Sequence, residues 1–123
     1  MEEMKLIYPA LSKHNFYFRE HISKYILEQG GVPLNPFMIF QYFLLDTVSR
    51  NTIRNANNNL VTKADELWIF GQISDGVLNE IKLAKKLNKT IEYFTIKDSK
   101  EIIKISKKEV EFEEGLEKFT SEL

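Results

Sequence analysis

The sequence predicts an α/β fold: a mainly parallel sheet with helices on both faces, spanning residues 1–123 as one domain. Three observations carry this expectation. Short apolar runs alternate with stretches of helical periodicity in the order β-α-β-(α)-α-β-α-β-α, as parallel strands joined by helical crossovers do. The strongest apolar run, Leu67-Trp68-Ile69-Phe70, ends at Gly71 and is followed at once by a helix start, Ser74-Asp75-Gly76. The size of 123 residues, with 43% hydrophobic and 28% charged residues, suits one ordinary core.

Leu6-Ile7-Tyr8 is a brief apolar run stopped by Pro9, which places the first strand near residues 5–8 and a loop over 9–13. From about His14 to Gln29, the spacing of Phe18, Ile22, Tyr25 and Ile26 marks one helix face, and Gly30-Gly31 ends it. Val32-Pro33-Leu34 reads as a second short strand, because Pro33 and Pro36 forbid a helix there. Residues 37–45 are dense in aromatics and fit a short helix or helical loop. The next helix, about Thr47 to Lys63, carries Arg50, Arg54 and five asparagines over a thin apolar face. Such a helix is either a solvated cover or the polar wall of a site.

A strand is expected at 66–70, a helix from Ser74 to about Asn88 and a strand at 90–96. Asp98-Ser99-Lys100 marks a turn, and 101–105 fits either strand or helix. Ser106 and Glu109 have capping-box spacing, so a helical tail is expected after them.

Composition excludes several classes of function. Seventeen Lys and Arg against eighteen Asp and Glu give a net charge of −1, which argues against binding a nucleic-acid polymer but not a single nucleotide. With no cysteine, thiolate catalysis and Cys-based zinc sites are absent, and His14 and His21 alone build no metal site. No metal and no cofactor is expected. No apolar run reaches the roughly 18–20 residues needed to span a bilayer, and the start, Met1-Glu2-Glu3-Met4-Lys5, is acidic where a secretory signal is basic. Residence in the cytoplasm, away from membranes, is expected.

In a parallel sheet, small molecules bind at the loops after the strands, here 9–14, 35–43 and 71–80. The last of these joins Ser74, Asp75 and Gly76 to a fresh helix N-terminus, a setting suited to a phosphate. Glu80 is expected in the first helical turn, where the anion is stabilised and the carboxylate suits a nucleophile. N-capping and first-turn acidity explain the same residues without a ligand. Ser12 and Lys13 can hold a phosphate or ribose hydroxyl, with Tyr8 beside the base and His14 in the same loop; a solvated turn is the alternative. Arg50 and Arg54 share a helix face and can meet a phosphate together, or simply face solvent. Phe37 and its aromatic neighbours can stack on a base, pack in the core or meet a second subunit. No Gly-rich dinucleotide or P-loop motif occurs.

The run Ala64-Asp65-Glu66-Leu67-Trp68-Ile69-Phe70-Gly71, followed by Ser74-x-Gly76-x-x-x-Glu80-Ile81 and Ala84, resembles the nucleoside 2-deoxyribosyltransferase superfamily. The S-x-G-x-x-x-E spacing is similar to that of its deoxynucleoside 5′-monophosphate N-glycosidases, and Tyr8 followed by Ser12 resembles the family's strand tyrosine and phosphate-binding serine. Small members from bacteria and phages carry the same run. The resemblance covers residues 5–96 and implies a three-layer Rossmann-like (flavodoxin-like) sheet. It implies Glu80 as the nucleophile at C1′, with Ser74, Gly76 and Ser12 at a 5′-phosphate. Active members also carry an aspartate on the preceding helix, where this chain has Asn57 or, one place on, Asn58. Asparagine can neither act as a base nor share a proton.

Two functions are therefore expected, ahead of a structural or assembly protein that uses the aromatic segment as an interface. One is cleavage or transfer at the N-glycosidic bond of a nucleotide or nucleoside. The other is a non-catalytic pocket that senses or sequesters a nucleotide signal, as in a phage protein acting against host defence. A homo-oligomer, a dimer or a multiple of one, is expected from the apolar stretch Phe37–Phe43.

Overall fold

A computed structural model describes residues 1–98 and 101–123, so Ser99 and Lys100 of the expected turn lie outside the described residues. One sheet contains β1 (Leu6–Leu11), β2 (Val32–Pro33), β3 (Glu66–Phe70), β4 (Thr90–Lys97) and β5 (Glu101–Ile105). Their order is β2-β1-β3-β4-β5; the first four are parallel, and β5 runs antiparallel to β4. The helices are α1 (Arg19–Glu28), α2 (Pro36–Ile39), α3 (Tyr42–Thr47), α4 (Arg50–Lys63) and α5 (Asp75–Lys86). This is the expected α/β class, in the flavodoxin-like strand order.

Alternation along the strands divides the core in two. Ile7, Leu11, Phe70 and Phe94 face α1 and bury Ile22 and Ile26. Tyr8, Ala10, Leu67, Ile69 and Tyr93 face the other way, against Val61 of α4 and Val77, Leu78, Ile81 and Ala84 of α5. Helices thus cover both faces, giving three layers.

β1 does not stop at Pro9 but runs on to Leu11. The carbonyls of Lys5 and Ile7 accept from Val32 and Leu34, so odd-numbered residues of β1 direct their backbone toward β2. β2 ends at Pro33, and the ring nitrogen of Pro9 therefore points where no ladder partner is due. The helix expected from His14 begins instead as a 3₁₀ helix, Lys13–Phe18, capped by Ser12, and becomes α-helical at Arg19. The aromatic stretch forms two short helices rather than one; Asn35 caps α2, with Pro36 at its first position. α4 starts at Arg50 because the Ser49 hydroxyl accepts from the Thr52 amide at 3.3 Å.

The ambiguous segment 101–105 is a strand, with Ile103 opposite Thr95. The tail corrects the expected helix. The capping box at Ser106 and Glu109 is present but closes only a 3₁₀ turn, Lys107–Glu109. An extended stretch then pairs Phe112 with Ile73, and a 3₁₀ helix, Glu117–Glu122, ends the chain. Ile73 takes both backbone bonds of this bridge, donating to the Glu111 carbonyl and accepting from Glu113, which holds the segment extended. Among the described residues no helix is long and apolar enough to cross a membrane.

Candidate active site

The carboxyl ends of β1 and β3, with α2 to α5, enclose a cavity of about 800 Å³. Twelve residues singled out from the sequence line it, Tyr8, Ser12, Lys13, His14, Phe37, Arg50, Arg54, Asn57, Ser74, Asp75, Gly76 and Glu80, whereas Asn58, the alternative to Asn57, does not. Sequence reasoning missed Phe16, Tyr17, Tyr42, Leu45, Ile53 and Glu113, which line it too. Tyr42 belonged to the aromatic stretch without being assigned, and nothing local marks Glu113.

Tyr8 and Glu80 meet at the cavity floor. Tyr8 is fully buried on β1, and its hydroxyl donates to Glu80 Oε2 from α5. Glu80 is the sixth residue of α5, in its second turn and not the first, so the dipole argument for a stabilised anion does not hold. Its pKa instead rises to about 7, because burial disfavours the charged form more than the Tyr8 hydrogen bond favours it. The Tyr8 hydroxyl is itself pushed well above its ordinary value, by burial and then by the Glu80 charge, so it remains a proton donor.

On one wall Phe16 packs edge-to-face with Phe37, ring centroids 5.5 Å apart, and with Tyr42 at 6.3 Å. The Arg19 guanidinium covers Phe16 at 3.9 Å, which fixes that ring. Tyr17 and Tyr42 remain largely exposed at the mouth, as do Arg50 and Arg54 on α4.

Other parts of the lining are polar. Ser74 caps α5, its hydroxyl accepting from the Val77 amide at 3.2 Å. Ser12 is buried, and its hydroxyl donates to Glu113 Oε2 at 2.6 Å. His14 Nδ1 lies 2.9 Å from the same oxygen. Burial tends to raise the Glu113 carboxyl, but the hydrogen bonds of Ser12 and His14 and the charges of His14 and Lys13 hold it below its ordinary value. On α4, Asn57 Oδ1 is buried without a partner among the described residues, an acceptor that the protein leaves open.

A buried phenol and a partly buried carboxylate meet in a cavity with an aromatic wall at the carboxyl ends of the parallel strands, the place where doubly wound α/β proteins commonly bind small ligands. The chain belongs to a domain family of unknown function, DUF7768, whose profile matches residues 8–94. A solved 2-desoxiribosyltransferase from Leishmania mexicana shares its fold, with a TM-score of 0.58 and 17% identity over 92% of this chain and 85% of that one. The deoxyribosyltransferase-like fold is thereby established. A search of curated proteins gives no match.

Proposed function

We propose that the pocket takes a nucleoside or nucleotide and that Glu80 attacks its anomeric carbon. The observation that carries this reading is the Tyr8–Glu80 pair: Oε2 accepts the phenol's hydrogen bond, Glu80 lines the cavity, and its other oxygen, Oε1, is the nucleophile in this reading. A bond forms from Oε1 to C1′ while the C1′–N bond breaks, its electron pair leaving with the base, which takes up a proton. Attack at C1′ by water, or by a second base, then releases the sugar and restores the carboxylate, giving a hydrolase or a transferase respectively. The likeness in fold to a 2-desoxiribosyltransferase supports this class of substrate. Phe16, Phe37 and Tyr42 offer apolar faces for the base, and Ser12, Ser74 and Gly76 polar contacts for the far end of the sugar.

Incubating the protein with the common nucleosides and nucleotides, with chromatography for free base and mass spectrometry for retained ligand, tests the reading. Base release is expected, and Glu80→Gln should reduce it by orders of magnitude. Release should rise with pH through about 7 as Glu80 ionises.

Asn57 favours a second reading. Its open Oδ1 can accept from a ligand, yet an amide cannot shuttle a proton to a leaving base. Retained nucleotide with no base released identifies a binding protein that senses or sequesters its ligand. Under either reading we expect a homo-oligomer, because Met38, Ile39 and Phe43 stand exposed on α2 and α3. A monomeric mass by light scattering contradicts that.

A further inference from the structure

We propose that Glu113 makes the pocket select a sugar ending in a free hydroxyl and reject the same sugar carrying a terminal phosphate. This rests on the nucleoside or nucleotide reading above and decides between its two substrate classes. Placing the base on the aromatic wall and the anomeric carbon at Glu80 leaves Ser12 and Ser74, also in the cavity lining, for the remaining end of the ligand.

That end is already occupied by charge. Glu113 Oε2 takes the hydrogen bonds of both Ser12 Oγ, at 2.6 Å, and His14 Nδ1, at 2.9 Å. The donors that a phosphate needs in this loop are thus spent on a carboxylate. Its ionised state is favoured by the same contacts. A phosphate entering here meets the Glu113 carboxylate, and like charges at close range are costly. Lys13, Arg50 and Arg54 line the cavity too, but they are exposed, where water weakens their pull on a phosphate.

A hydroxyl fits the same place without conflict. Glu113 Oε1 accepts no hydrogen bond among the described residues, whereas a sugar hydroxyl brings a donor and a phosphate at neutral pH brings almost none. The placement is firm, because the backbone on either side of Phe112 is tied to Ile73: the Glu111 carbonyl accepts from it and the Glu113 amide donates to it, each at 2.9 Å.

Calorimetric titration with the four common deoxynucleosides and their 5′-monophosphates tests this. The wild type should bind at least one nucleoside about tenfold or more tightly than its monophosphate. Glu113→Gln and Glu113→Ala, with folding checked by circular dichroism, should shrink that ratio by about tenfold and let the monophosphate in. A wild type that prefers the monophosphate, or a ratio unchanged in both variants, overturns the assignment while leaving the pocket a nucleoside or nucleotide site. If neither class of ligand binds, the reading beneath it falls as well.

Discussion

Glu80 holds its proton to about pH 7 in the folded chain, whereas an ordinary glutamate releases it near 4.5. Below about pH 4.5 both states are protonated and the group costs nothing. Through the window from 4.5 to 7 the folded state binds more protons than the unfolded one, so stability falls as pH rises, by up to about 3 kcal/mol in all. Glu80→Gln removes that cost and can still accept from Tyr8. Urea unfolding should show the variant to be more stable than wild type at pH 8 and equal to it at pH 4. A variant less stable at pH 8 would mean the carboxylate is well solvated. Found together with a loss of base release, that result would mark a residue kept for chemistry at the expense of stability. The residue types were legible in the sequence because the loops after β1 and β3 are short, and short loops on adjacent strands must converge. The rise in the Glu80 pKa was not, since it depends on which helical turn the carboxyl occupies and what lies under it.

Among the elements, α5 offers the sharpest contrast. Gly76 lies in its first turn and lines the cavity, and a Cβ built there meets only Ser74 Oγ, at 4.0 Å. Nothing in the protein's own packing requires glycine at this place. Gly76→Ala should therefore raise the stability of the chain by about 0.5–1 kcal/mol, through helix propensity and a less flexible unfolded state. The added methyl stands in open space at the cavity wall, so ligand affinity should drop in the same variant. Thermal melts and calorimetry together check this, and a change of the same sign in both counts against it. Gly71 behaves oppositely. Its φ of +88° is strained for any L side chain, which makes Gly71→Ala destabilising by about 1–2 kcal/mol, measurable by urea unfolding, and a built Cβ also crowds the Asn15 amide. Helices and strands with strong periodicity, such as α5 and β3, were readable from the chain. The strand at 101–105 and the extended tail were not, because what settles them is pairing with β4 and with Ile73.

At the scale of the whole molecule, the cavity gathers side chains from Tyr8 to Glu113, so it exists only when distant stretches have met. The sheet order sets when that happens. β3 and β4 pair Glu66 with Thr90, 24 residues apart, whereas β1 reaches β3 by pairing Ile7 with Glu66, 59 apart. Closing the longer loop costs about 0.8 kcal/mol more, and non-local pairing slows folding. The stretch from β3 through α5 to β4 should thus form the folding nucleus, with β1 inserted between β2 and β3 on the downhill side of the barrier. Stopped-flow kinetics of two conservative core variants can read this. Ile81→Val, in α5, should slow folding, while Ile7→Val, in β1, should chiefly speed unfolding; the opposite pattern would place β1 in the nucleus. Because Tyr8 travels with β1, the carboxyl of Glu80 sits in the nucleus without its phenol partner. On this order of assembly it would stay open to water until β1 arrives, and the raised proton affinity of the site would be created only then.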